Sequence, residues 1–177
     1  GVILYDAMGK RSLIELPSTG MLRSEVLTLD EERLLVVSDQ QLTAVDTATG
    51  QKLWVVQLGL KANYGHRTFP VISNSSKTVY VWRLHAGEAQ VVAIEMETGN
   101  VSDVLVKDGR KGIFSSPVIS PDEKHLAYMV DDDPWRKCGY WRIISTEDHS
   151  LKHIVDVRPE VTTASFSPDS QSFWLRS

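Results

Sequence analysis

A single cysteine, Cys138, occurs among 177 residues. An internal disulfide is therefore excluded, and with it a disulfide-dense scaffold or a zinc site built on several cysteines. No apolar run approaches the roughly 18 residues of a membrane-crossing helix. Neither sign of charge dominates: 19 Lys and Arg against 23 Asp and Glu leave a net charge of −4. A dedicated nucleic-acid binder is usually basic, so this balance points away from one. Helical periodicity is missing too. Apolar residues recur at every second position or in continuous runs, not at the spacing of an amphipathic helix. There is no Gly-x-Ser-x-Gly elbow, no phosphate-cradling glycine loop and no zinc-protease stretch. No signal peptide opens the chain. Gly1 falls inside a repeat unit, however, which leaves the compartment open.

What is present is repetition. Hydrophobic residues make up 42% of the chain, enough for a substantial core. Residues 115–131 read SSPVISPDEKHLAYMVD: a short apolar run, a Ser-Pro-Asp turn and a second apolar run. Pro121 fixes φ, and the Asp122 carboxylate can bond its own backbone, so the unit is strand, tight turn, strand. The phrase returns at 70–82 (PVISNSSKTVYVW), 165–175 (SFSPDSQSFWL) and 26–37 (VLTLDEERLLVV). Taking Asp30, Asn74, Pro121 and Pro168 as equivalent, the intervals are 44, 47 and 47 residues. Between these hairpins lies a second phrase, strand, acid-x-x-Thr-Gly, strand, at Asp46–Gly50 and Glu95–Gly99. Residues 5–9 are a degraded copy, and 144–149 (ISTEDH) another without the glycine.

Four strands in each interval of roughly 40–50 residues predict the blades of a β-propeller, an all-β fold of four-stranded antiparallel sheets. Complete blades are expected at about 21–60, 66–108 and 113–158, with half-blades at 1–17 and 161–177. Trp54 is suited to the space between blades. Two arrangements fit the ends. The half-blades pair into a closed four-blade ring without free edges, or the chain is part of a larger propeller.

The quoted phrases resemble two propeller families. SPDEKHLAY at 120–128 and SFSPDSQSFWL at 165–175 are similar to the TolB-like repeat, Ser-Pro-Asp-Gly-Lys followed by apolar residues. Here Glu123 and Ser170 stand where that repeat has glycine. VDTATGQKLW at 45–54 resembles the repeat of quinoprotein (PQQ-type) propellers, and the Trp-Asp dipeptide of WD repeats is absent. The resemblance implies a propeller that binds proteins or caps a prolyl-oligopeptidase-like catalytic domain, or else a quinoprotein dehydrogenase or non-catalytic assembly factor. It also implies an extracytoplasmic setting, periplasmic or secreted. So widely shared a fold does not settle function.

Ser120, Asp122, Ser167 and Asp169 are read as turn chemistry rather than as catalytic groups. None of His66, His85, His125, His149 and His153 has the ligand spacing of a metal site. Asp131, Asp132 and Asp133 offer oxygens to a hard cation, but without the alternation and glycine of an EF-hand they read as a solvated loop. No metal and no cofactor is expected. Asn74-Ser75-Ser76 and Asn100-Val101-Ser102 fit the glycosylation pattern.

One constellation stands out. In a propeller the inter-blade connections and the loops between second and third strands emerge on one face. Here those segments carry Arg23, Lys61, Arg67, Lys107, Arg110, Lys111 and Arg158, together with Trp135 in the 131–136 loop. A basic mouth would attract an anionic ligand or acidic peptide, with Trp135 as anchor; equally, loops carry charge because they are wet. The expected function is a non-enzymatic binding platform for a protein or peptide, using Arg23, Lys61, Arg67, Arg110, Lys111, Trp135 and Arg158. The alternative is a propeller domain of a larger enzyme, a serine-peptidase gate or a quinoprotein dehydrogenase.

Overall fold

The computed structural model describes residues 2–5, 11–14, 22–27, 32–38, 41–59, 69–108, 116–133, 138–157 and 163–176. Among them all regular structure is strand. A hairpin of β1 (Val2–Tyr5) and β2 (Arg11–Ile14) comes first. Three four-stranded antiparallel meanders follow. They are β3 (Leu22–Leu27), β4 (Arg33–Ser38), β5 (Gln41–Asp46) and β6 (Lys52–Gln57); β7 (Val71–Ile72), β8 (Thr78–His85), β9 (Glu88–Glu95) and β10 (Val101–Asp108); and β11 (Val118–Ile119), β12 (His125–Asp133), β13 (Cys138–Ser145) and β14 (Leu151–Val157). The final hairpin is β15 (Thr163–Phe166) with β16 (Phe173–Arg176).

Alternation along a strand decides which neighbouring sheet each side chain meets. In β8, Val79 and Val81 pack with Leu35, Val37, Leu42, Ala44 and Trp54 of the preceding sheet. Tyr80 and Trp82 pack instead with Leu126, Tyr128 and Val130 of the following one. β9 divides likewise: Val92 and Ile94 face back and Val91 and Ala93 face forward. The sequence shows continuous apolar runs here because both faces of the middle sheet are covered. The third contact joins Trp141 and Ile143 to Phe166, Phe173 and Leu175, with Trp141 and Phe173 edge to face at 5.6 Å. Sheets stacked face to face in chain order are propeller blades. The two end hairpins stand as separate two-stranded sheets, so the half-blade pairing of a closed four-blade ring is not formed among the described residues.

Strand register refines the repeat. Arg33, Thr78 and His125 are equivalent, lying opposite Asp46, Glu95 and Ser145. The first interval is thus 45 residues rather than the 44 expected from the turns. Two further segments extend strands instead of forming loops: Lys107 and Asp108 end β10, and Asp131–Asp133 end β12.

The Ser-Pro-Asp turns close as their chemistry requires. The Ser120 hydroxyl donates to Asp122 Oδ1 at 2.6 Å and accepts from the His125 N–H at 2.9 Å. Ser167 makes the same pair of bonds, to Asp169 Oδ1 and from the Ser172 N–H, at 2.6 and 2.8 Å. Both serines are buried and fully employed in the turn.

Glu123 and Ser170 take φ of 60° and 62°, the left-handed conformation a glycine would adopt without strain. Their side chains are used by the preceding blade. The Ser75 N–H and hydroxyl donate to the two Glu123 carboxylate oxygens at 2.6 and 3.2 Å. The Asp122 N–H donates to the Ser170 hydroxyl at 3.0 Å. Strain at each turn is therefore offset by a tie between blades. Glu123→Gly removes about 1–2 kcal/mol of strain and a tie of about 1 kcal/mol. It should leave stability nearly unchanged or slightly higher, whereas Glu123→Ala keeps the strain, loses the tie and should cost about 1 kcal/mol in urea denaturation.

Turn carboxylates also set an acid sensitivity. Asp46, Asp122, Asp148 and Asp169 lie below the usual carboxylate range, chiefly because hydroxyls of Thr49, Ser120, Ser150 and Ser167 respectively donate to them. A folded pKa below the unfolded value means stabilisation above about pH 4 that is lost as pH falls through the folded value. The melting temperature should therefore drop on acidification below about pH 4. Asp148→Asn, whose amide stays neutral throughout, should show a shallower drop in the same scan.

Candidate binding face

Antiparallel pairing brings the end of each second strand, the start of each third and the end of each fourth to one side of their sheet. In the middle blade His85 lies opposite Glu88, and Asp108 lies opposite Ala89. In the next, Asp133 lies opposite Cys138 and Gly139 opposite Val157. The hairpin at His85–Glu88 is a two-residue turn in which Ala86 and Gly87 have φ of 51° and 84°, the twist that such a hairpin needs. On the same side blade one is stitched to blade two: the Leu84 N–H donates to the Leu58 carbonyl at 2.6 Å. Gly59 follows at φ 63°, where a Cβ would sit 2.5 Å from the Leu84 carbonyl oxygen.

A polar row crosses the middle blade just inside this face. Arg83, Gln90 and Lys107 are register partners on β8, β9 and β10. Parity puts Arg83 and Gln90 on the side of Val79, Val81, Val92 and Ile94, toward the preceding blade. Gln90 is only 4% exposed. Its Oε1 accepts the Arg83 Nε–H at 2.9 Å. Arg83 is half-buried, and its partial burial lowers its pKa from the ordinary guanidinium value; a guanidinium nevertheless stays charged in a protein. Lys107 is exposed at the outer strand.

Of the residues expected to line the mouth, Lys61, Arg67, Arg110, Lys111, Trp135 and Arg158 lie outside the described residues, as does His66. Arg23 is described as backbone alone, within β3 and at a register shift, rather than in a connection. The row at Arg83 and Gln90 escaped the sequence reading. Its signal was a charge and an amide interrupting two apolar strands, TVYVWRLH and EAQVVAIE. At the opposite rim, His149 takes φ 57° in the glycine-less turn, and its Nε2 lies 2.8 Å from Asp103 Oδ2 of the preceding blade. Among the described residues no three His, Cys, Asp or Glu cluster as metal ligands, and no helix is long and apolar enough to cross a membrane.

Residues 1–121 match the family model described as outer membrane protein assembly factor BamB, a PQQ-type repeat. The chain belongs to this BamB-like propeller family. No curated protein matches its sequence. Among solved structures it is similar to hydrazine synthase of Kuenenia stuttgartiensis, at 17% identity and a TM-score of 0.66, over 86% of this chain and 42% of that one. It is also similar to TolB from Acinetobacter baumannii, at 17% identity and a TM-score of 0.66, over 98% of this chain and 42% of that one. Identity this low speaks for the fold alone, and the chain spans under half the length of either.

Proposed function

We propose that this BamB-like chain is a non-enzymatic binding platform that takes a protein or peptide partner on the face where its second-to-third-strand hairpins and inter-blade connections emerge. The observation that carries the reading is the strand register, which gathers those strand ends at one side of every sheet. Membership of a family described as an assembly factor supports it. Sequence adds the cations: Lys61 and Arg67 fall between β6 and β7, Arg110 and Lys111 between β10 and β11, and Arg158 after β14. A surface that wraps an extended acidic segment needs such charges around its rim and an aromatic anchor such as Trp135.

The test is a peptide array of acidic, neutral and basic sequences probed with the chain and with the triple variant Arg67→Glu, Arg110→Glu, Lys111→Glu. Acidic peptides should be retained by the parent chain, weakly above about 0.5 M salt because screening shortens to a few ångström, and released by the variant. Equal retention by both chains would defeat the reading.

A further inference from the structure

From the row on the middle blade we infer a specific receptor: Arg83 takes one carboxylate of the bound partner, from an acidic side chain or a chain terminus. The inference rests on the platform reading and deepens it.

Four observations converge. Arg83 stands at the face end of β8, beyond the reach of the two-residue inner strand β7. Its Nε is occupied by Gln90 Oε1 at 2.9 Å, and Gln90 is 4% exposed among the buried Val92 and Ile94. The buried amide therefore fixes the plane of the guanidinium. That leaves the Nη1–Nη2 edge, which has no partner among the described residues. A fork held this way matches the two oxygens of a carboxylate end-on, and partial exclusion of water strengthens the charge-assisted bonds. Lys107 places a second cation near the fork, on a face end that also carries the acids Glu88 and Asp108. Lys107 flanks Gln90 on its other side, two strand spacings from Arg83, or roughly 10 Å. Glu88, the acid of the adjacent hairpin, makes no ion pair with Arg83 among the described residues.

Fluorescence anisotropy on the chain, with three labelled peptides, tests the proposal. One alternates Gly and Glu and ends in an amide. One is Gly-Ser with a free terminal carboxylate. The third alternates Gly and Gln, is amidated and serves as the blank. At least one carboxylate peptide should bind more tightly than the blank, and which one identifies the source. Arg83→Lys keeps the charge and removes the fork, so it should weaken that binding about tenfold. Gln90→Leu should weaken it too, by freeing the guanidinium plane. Binding by Arg83→Lys at parental strength overturns the inference. If the loop triple variant at the same time loses binding, the platform survives without this receptor. If no peptide outbinds the blank, the receptor falls. The Arg83 Nε–Hε resonance gives a readout on the unaltered chain: it should shift on titration with the carboxylate peptide, and a stationary signal overturns the proposal without recourse to any variant.

Discussion

Gly99→Ala is expected to destabilise the chain by about 2–5 kcal/mol, the sum of about 1–2 for a left-handed non-glycine residue and about 1–3 for overpacking. Gly99 has φ 73°, and a Cβ there would lie 2.6 Å from Trp54 Cγ, 2.7 Å from Cδ2 and 2.8 Å from Cβ. Trp54 cannot withdraw. It is 8% exposed, belongs to the core shared by the first two blades, and its Nε1–H donates to the Met96 carbonyl at 2.9 Å. Gly87→Ala provides the control. Its φ is 84° but a Cβ there meets nothing within 4 Å, so only the backbone cost of about 1–2 kcal/mol remains. Urea midpoints of the two variants separate the contributions; equal losses would mean that the indole does not constrain the turn. A Trp54→Leu background should shrink the Gly99→Ala loss, because the clash and not the turn is removed.

The same geometry shows how blades exchange partners. Trp54 lies opposite Ala44, Asp103 opposite Ala93 and His153 opposite Ile143, so the three are equivalent. Between blades one and two the pair across the gap is Trp54 over Gly99. Between blades two and three it is Asp103 against His149, at 2.8 Å. A large residue on the outer strand leaves room for glycine alone in the facing turn. A small acid there admits a histidine, which then reaches back. The bulky member has changed sides.

Much of this was legible because turn chemistry is local. Ser120 with Asp122, and Asp46 with Thr49 at 2.7 Å, satisfy one another within a few residues, so pattern and structure coincide. The four-strand repeat followed from the spacing of those turns. The glycine replacements at Glu123 and Ser170 were visible as departures, but not their purpose: Ser75 is 48 residues from Glu123, and only blade stacking makes them neighbours. Arg83 was harder still. In one dimension a charge inside TVYVWRLH reads as an interruption; it becomes a site once register sets Gln90 beside it. Connectivity singles out cations near strand ends and loops, and passes over one set inside an apolar strand as Arg83 is.

Trp82→Ala should cost about 3–5 kcal/mol, and the distribution of that loss matters more than its size. Trp82 is 5% exposed and meets Tyr128 of the next blade edge to face, with centroids 5.6 Å apart and planes at 76°. The cluster it belongs to draws Leu126, Tyr128, Val130 and Ile144 from the third complete blade. In a repeat architecture each unit contacts only its neighbours, so a broken interface weakens the two units that share it. Hydrogen exchange should therefore accelerate most in β7–β10 and β11–β14, with β3–β6 still guarded by the Leu35–Val81 core. Uniform acceleration across all three sheets would show that the blades unfold together and that nearest-neighbour reasoning fails here. Trp82→Leu and Tyr128→Leu, each alone and both together, form a cycle in which a coupling of about 0.5–1.5 kcal/mol reports the ring contact itself. A coupling near zero would assign the loss to buried area, and the edge-to-face geometry would then be a consequence of packing.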